Sequence, residues 1–375
     1  MIDGEGNREA METVDYGTFE ATLERSRRLE EAIQRDPARF LMLTGDRPTG
    51  RLHVGHLFGS LENRVRLQNI GVPSFVVIAD YQVLTDRDRA DDIADCVYQL
   101  VVDYLAAGLD PSNYRTFIFV HSYVPELNQL LLPFLTLVTN AELSRNPTVK
   151  EEIKASGQQH VNAGMYTYPV HQAADILFCK ATVVPVGKDQ LPHLELTRTV
   201  ARRFNARYEG EKPVFPEPQA LLSDAPTILG LDGSDKMSKS RNNAIMLSSS
   251  EDETAAYIKT AKTDMDRLIT YDPANRPEVA NLLMLLSLCT KKDPETLACE
   301  IGDAGASRLK SLLTEALNEY LRPLRQRRRE LERDPQFINE VLREGTARAR
   351  EVAQQTLAEV RQAMGMTYGI NGHEG

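Results

Sequence analysis

Closely spaced cysteines are missing from this sequence. Its 375 residues include four, Cys96, Cys179, Cys289 and Cys299, with no C-x-x-C pair, so they read as reduced core residues and not as a metal or disulfide framework. Long apolar runs are missing too. Nowhere do about 18 apolar residues follow one another, which excludes a membrane-spanning helix, and the opening Met-Ile-Asp-Gly-Glu-Gly is too polar for a secretory signal. A cytoplasmic protein, without a membrane partner, is expected. An excess of positive charge is also absent: the net charge is −10, which argues against indiscriminate binding to DNA or other nucleic acid. A local basic surface remains open, with Arg322, Arg325, Arg327, Arg328 and Arg329, then Arg343, Arg348 and Arg350, and Lys291-Lys292 as candidates. Interleaved Glu330, Glu332 and Glu344 would make an ion-paired helix face look the same. What is present is the composition of an ordinary globular protein, long enough for a large core and for two domains.

The stretch Leu41-Met-Leu-Thr-Gly-Asp-Arg-Pro-Thr-Gly50-Arg-Leu-His53-Val-Gly-His56 organises the rest. Phe40 to Leu43, closed by Gly45, reads as a buried parallel strand, and the spacing Leu57, Leu61, Val65 predicts a helix. His53 and His56 then fall in its first turn, where free N–H groups and the positive helix end favour phosphate. Positions three apart share a face, so both imidazoles can reach one phosphate, and Gly55 lets a flat base lie against bare backbone. Taken alone, such histidines are more often structural or surface residues.

A second segment, Lys236-Met237-Ser238-Lys239-Ser240, follows the loop-like Gly230-Leu-Asp-Gly-Ser. Its two ammonium groups on a chain preceded by glycines suit a loop that closes over developing phosphate charge. The two segments together resemble the signature pair of class I aminoacyl-tRNA synthetases. From about Phe40 to Met366 the motif order is similar to the tryptophanyl-tRNA synthetase family, including Pro-Thr-Gly before the histidines, Tyr168-Pro-Val-His-Gln-Ala-Ala-Asp175-Ile-Leu and Val184-Pro-Val-Gly-Lys-Asp-Gln190.

The resemblance implies ATP-dependent activation of L-tryptophan and transfer to tRNA(Trp) by a homodimer. His53, His56, Lys236 and Lys239 would be the catalytic charge complement. Thr44, Gly45, Arg47, Thr49, Gly55, Gly187, Asp189, Met237 and Ser238 would hold ATP, with Mg²⁺ carried by its phosphates and no protein metal cage. Leu43, Gln82, Tyr168, Gln172, Asp175, Val184, Val186 and Gln190 would surround tryptophan. In the family, the acid matching Asp175 accepts the indole N–H, and the matching tyrosine meets the ammonium group. The iron–sulfur cluster of some members would need closer cysteines than Cys289 and Cys299, so none is expected.

Read in order, residues 1–38 form a charged helical extension ended by Asp36-Pro37, which could pack on the body or serve a partner. Residues 39–225 alternate strand and helix, with strands at Ser74 to Ala79, Arg115 to Val120 and Ala181 to Val186. That is the pattern of an α/β, Rossmann-like doubly wound parallel sheet. It gathers Thr44 to His56, Asp80-Tyr-Gln and His121-Ser-Tyr at the strands' carboxyl ends, where Asp80 fits either a site wall or a turn. The polar segment from Glu142 to Ala163 is expected to be a mobile surface stretch. Tyr168, Gln172 and Asp175, at i, i+4 and i+7, share one helix face. For His193, on the next helix, a core or surface role is expected. Residues 226–245 form the lysine loop, 246–366 an all-α C-terminal domain of the size expected for anticodon reading, and 367–375 a frayed tail.

Gln172 is also the tyrosyl-tRNA synthetase pattern, where tryptophan enzymes often have methionine. Tyrosine enzymes, however, place a second tyrosine where this chain has Leu43, which offers a phenol hydroxyl no partner. An apolar wall of Leu43, Val184 and Val186 with one acceptor, Asp175, suits an indole. The alternatives are a tyrosyl-tRNA synthetase, a small-molecule nucleotidyltransferase sharing H-x-G-H, or a non-catalytic paralogue with a binding role.

Overall fold

Short apolar runs rich in β-branched residues, each bounded by polar turns, make the central sheet. The computed structural model describes residues 19–368 except 86–91, 114, 157–160, 209, 211, 223–227, 234–235 and 239–240. In chain order come α1 (Phe19–Arg35), β1 (Met42–Asp46), α2 (Val54–His56), a π turn (Leu57–Leu61), α3 (Glu62–Asn69) and β2 (Ser74–Ile78). Then follow α4 (Ile93–Ala106), β3 (Thr116–Val120), α5 (Pro125–Leu135), α6 (Asn140–Arg145), α7 (Pro147–Ser156), α8 (Ala163–Leu177), β4 (Val183–Val186), α9 (Leu191–Arg207) and β5 (Gln219–Leu222). The remainder is helical: α10 (Glu251–Thr260), α11 (Pro277–Thr290), α12 (Pro294–Ile301), α13 (Gly305–Leu331) and α14 (Pro335–Ala363).

The strands lie in the order β3-β2-β1-β4-β5, all parallel. Period-two alternation sends Leu43, Phe75, Val77 and Phe119 into one core with residues of α5, α8 and α9. Val76, Ile78, Ile118 and Val120 face the opposite core, shared with α4 and the C-terminal helices. The chain leaves β1 toward β3 and then crosses back to β4, so the order reverses between β1 and β4. A crevice opens beyond the carboxyl ends of strands at such a reversal.

Both sheet edges are covered. On the β5 side, the Leu222 N–H donates to Ser26 Oγ at 2.8 Å, and Leu29 and Ile33 of α1 pack on Met42, Val183 and Leu221. The α1 part of the N-terminal extension therefore belongs to the body. On the β3 side, α14 lies so close that a Cβ on Gly345 would stand 1.9 Å from the Ile118 carbonyl oxygen.

Several local expectations change. The first strand runs from Met42 through Asp46 and not from Phe40 to Leu43, because Gly45 carries no Cβ to meet the Val77 carbonyl oxygen, which would lie 2.1 Å away. β5 was not foreseen. Of the segment expected to be mobile from Glu142 to Ala163, the part up to Ser156 lies in two helices, the first started by a reciprocal cap in which Glu142 N–H donates to Thr139 Oγ1 (3.2 Å) and Thr139 N–H to Glu142 (2.7 Å), and residues 157–160 lie outside the described residues. Cys96 and Cys179 are buried, but Cys289 is half-buried and Cys299 exposed, so the core reading fails for the last. Among the described residues no helix is long and apolar enough to cross a membrane.

Candidate active site

The nucleotide turn is built from β1 outward. Gly45 lets β1 press against β2, and the chain then turns through Gly50 at φ 139°, a conformation that suits glycine. Asp46, at the strand end, pairs with Arg64 of α3 at 2.5 Å and accepts the Tyr104 hydroxyl at 2.6 Å. Burial would raise its pKa, but the guanidinium and these hydrogen bonds bring it down to about 2. A fixed ionised pair thus braces the base of the turn.

His53 is the N-cap of α2, with extended backbone, and its N–H donates to His56 Nδ1 at 3.3 Å. His56 then carries its proton on Nε2 and can donate there. The two ring centroids are 3.7 Å apart, so both imidazoles serve one spot. Their charge differs from expectation. Burial and the neighbouring His56 push His53 down to about 3, and burial also lowers His56. Both are neutral donors near pH 7, which leaves the lysines as the cationic part of the complement. The Val54 N–H is taken by the Ile245 carbonyl at 3.0 Å, so fewer helix-end donors are free than the sequence suggested. A Cβ on Gly55 would meet the His53 ring at 3.0 Å and Met237 Cβ at 3.4 Å, which keeps the backbone bare at that point.

Behind this turn lies a cavity of about 510 Å³, ample for an amino acid. Leu43, Val77, Ile176, Val184 and Val186 give it apolar walls, and Gln82, Tyr168, Gln172, Asp175 and Gln190 bring polar groups. The i, i+4, i+7 face of α8 therefore does point one way. Tyr168 is fixed through its hydroxyl, 2.8 Å from His193 Nε2, and His193 Nδ1 is 3.3 Å from Asn146 Nδ2. Asn146 Oδ1 accepts the Thr148 and Val149 N–H groups, so its amide nitrogen faces His193 as donor. His193 consequently donates from Nε2 to the phenol oxygen, and it is a buried positioning group.

Asp175 is 1% exposed. His121, from the end of β3, approaches it with Nδ1 2.7 Å from Oδ1, an ionic contact without the angles of a well-formed hydrogen bond. Asp80 does not line the cavity. It accepts the Tyr81 and Ser122 N–H groups at 3.0 Å each, and so ties the turns after β2 and β3.

The lysine segment closes the outer side. Lys236 pairs with Leu229 in an antiparallel bridge, Met237 is buried, and the Ser238 N–H donates to Asn243 Oδ1 at 2.8 Å. The Lys236 ammonium, 67% exposed, stands 3.6 Å from Asp189 Oδ1. Lys239 and Ser240 lie outside the described residues.

A second cavity of about 760 Å³ joins His53, Gly55, Gly187, Asp189, Lys236 and Met237. A third space takes in Arg47, Thr49, His56, Met237 and Ser238. Thr44, Gly45 and Arg47 belong to the first cavity, which shares Gly55, His56, Gly187, Asp189 and Lys236 with the second. Every described residue expected to act in catalysis or to hold ATP or tryptophan thus faces one continuous cleft at the β1/β4 reversal, whereas Asp80 and His193 do not line it. The sequence reading missed Arg64, and also Pro147, Thr148, Glu151 and Glu152 of α7, which line it too. The signals were Thr139-x-x-Glu142, a capping box that starts α6, and Asn146-Pro147, an N-cap with proline that starts α7.

Most of the basic candidates separate into two kinds of residue. Arg325 and Arg328 are buried, bonded to Thr254 and Asp103 respectively, so they cannot meet a nucleic acid. Arg322, Arg327, Arg343, Arg348, Arg350 and Lys292 each pair with a carboxylate.

With that geometry in place, the similarities to known proteins are specific. The family model of class I tRNA synthetases (W and Y) matches residues 35–322. A tryptophan–tRNA ligase of Clostridium longisporum is 43% identical over 344 residues, 89% of this chain and 99% of its own length. One from Treponema pallidum is 43% identical over 334 residues, 87% of this chain and 97% of its own. The solved tryptophanyl-tRNA synthetase of Campylobacter jejuni, complexed with ADP and tryptophan, superposes with a TM-score of 0.74 at 29% identity, covering 87% of this chain and 99% of that one.

Proposed function

The chain belongs to the class I tRNA synthetases of the tryptophan and tyrosine group, and on that premise we propose that it activates L-tryptophan with ATP and transfers it to tRNA(Trp). A tryptophan carboxylate oxygen attacks the α-phosphorus in line, the bond to the β-phosphate bridge breaks, and pyrophosphate leaves. The tryptophanyl group then passes from the adenylate to the terminal ribose of tRNA, releasing AMP. The protein positions these groups and meets charge as it develops.

In this reading His53 and His56 donate to phosphate oxygens as neutral imidazoles, and Lys236 and Lys239 follow the departing charge. Asp189 and Gly187 take the ribose, Tyr168 and Gln190 the ammonium, and Asp175 the indole N–H. Mg²⁺ would arrive on the nucleotide phosphates and shield the leaving pyrophosphate; among the described residues no three His, Cys, Asp or Glu side chains stand ready to hold a metal. The helical C-terminal half serves the anticodon, and the active form is a homodimer.

One observation favours tryptophan over tyrosine. Asp175 lines the cavity together with the apolar Leu43, Val184 and Val186, which are 3%, 6% and 8% exposed. Leu43, Val184 and Val186 offer a phenol hydroxyl no partner, so it would lose its hydration against them for little return. Labelled tryptophan should charge a tRNA(Trp) transcript in the presence of ATP and Mg²⁺ and leave a tRNA(Tyr) transcript uncharged. Charging of the tyrosine transcript with tyrosine would give the alternative reading its support.

A further inference from the structure

His121 takes no part in the cleft as described so far, yet its place is unusual. It is 0% exposed, does not line the cavity, and stands behind Asp175, which does. Its Nδ1 is 2.7 Å from Asp175 Oδ1. His171 packs against it edge-on at 4.1 Å between centroids, and Tyr81 at 5.5 Å. His171 is itself tied by Nε2 to Asn128 Oδ1 at 2.9 Å. The His121 ring therefore cannot turn away from Asp175 without displacing two other rings.

A carboxylate in an apolar wall has two ways to fail as an acceptor: it can rotate, or it can take up a proton and become a donor. A cation packed against its far oxygen opposes both. We propose that His121 is a positioning residue for amino-acid selection, holding the Asp175 carboxyl group in place by Oδ1 so that Oδ2 is presented to the ring N–H of the substrate. This rests on the tryptophan reading above and adds to it a residue that touches no substrate. The electrostatics run the same way. Burial would lower the His121 pKa, but Asp175, helped by Asp80, holds it above its ordinary value, while burial and His121 itself keep His171 neutral. The titratable groups facing His121 are thus Asp80 and Tyr81 after β2, and His171 and Asp175 on α8.

The test uses L-tryptophan and L-β-(3-benzothienyl)alanine, in which sulfur replaces the ring N–H at nearly the same shape. Titration calorimetry on the full chain should show tryptophan binding about ten- to a hundredfold tighter, the value of a hydrogen bond to a charged acceptor. In His121→Phe, which keeps a ring but supplies no donor, tryptophan weakens and the sulfur analogue does not, so the preference falls to within about threefold. His121→Gln, which restores an N–H without charge, recovers most of the preference at pH 7. This second variant carries the test if the first does not fold. Equal weakening of both ligands in either variant, or an unchanged preference in His121→Phe, overturns the proposal. A wild type that binds both ligands alike also overturns it. A wild type that binds neither, but binds tyrosine, overturns the tryptophan reading on which it stands.

Discussion

Arg328, on the long helix α13, forms a buried ion pair with Asp103 of α4, and the same carboxylate accepts the Leu52 N–H at 2.9 Å. Leu52 directly precedes His53. A second arm of the guanidinium reaches Gln99. The nucleotide turn is thus held from behind by a charge that belongs to the helical half, while the Val54 N–H and the Leu52 carbonyl hang on Ile245 and Leu247 in front.

Replacing Arg328 by Met should therefore act as breaking a buried pair does. A loss of about 3–5 kcal/mol in unfolding free energy is expected from urea titration. Pyrophosphate exchange, measured without tRNA and under conditions where the variant is folded, should also fall. An exchange rate equal to wild type with only tRNA charging reduced would return Arg328 to the nucleic-acid surface.

Lys236 stands over the cleft, exposed and loosely paired with Asp189. On the proposed role, in which its charge serves the transition state and not the bound amino acid, Lys236→Ala should reduce the adenylation rate by about 10²–10³. Tryptophan affinity should stay within about twofold. Equal losses in rate and affinity would mark the lysine as a ground-state binding group.

Stability should fall on the acid side for a reason that can be located. Burial lowers His53 to about 3 and His171 and His193 to about 4. For a base with a depressed folded pKa, the stabilisation is present above about pH 6.5 and is lost as the pH falls through the folded value. His121, raised, works oppositely: its contribution is present below about pH 6.5 and is lost as the pH rises past its folded value. Between pH 7 and pH 5 the unfolding free energy should drop by on the order of 2 kcal/mol per depressed histidine. Urea midpoints at the two pH values measure it, and His193→Gln should flatten the slope.

Gly345 tests how the C-terminal helix closes the sheet. An added methyl would stand 1.9 Å from the Ile118 carbonyl oxygen and 2.8 Å from its nitrogen, and backbone cannot give way as a flexible side chain does. Gly345→Ala should cost about 1–3 kcal/mol by thermal or urea unfolding. A neutral result would mean that α14 can lift from β3 freely.

The parallel sheet was legible because β1 to β4 are apolar runs with turn residues at both ends. β5 was not: Gln219-Ala-Leu-Leu222 is short, lies after a proline-rich stretch, and becomes a strand only by pairing with β4. The cleft was legible where one helix or one turn carries several groups, as with His53 and His56, or Tyr168, Gln172 and Asp175. Partners from distant segments were not. His121 and Asp175 are joined only by the fold, as are Arg328 and Asp103. For Arg328 a signal existed in the sequence: Leu317, Leu321, Leu324, Arg328 and Leu331 follow the 3–4 spacing of one buried stripe, and an arginine in that register faces inward.

Pyrophosphate exchange into ATP, with tryptophan and tyrosine supplied separately, tests the central claim most directly. Exchange with tryptophan, and at least about 10³-fold less with tyrosine, is the predicted result, because the Leu43 wall leaves a phenol hydroxyl unmatched. Exchange supported by tyrosine alone would contradict it and make Gln172 the residue that decides the pocket.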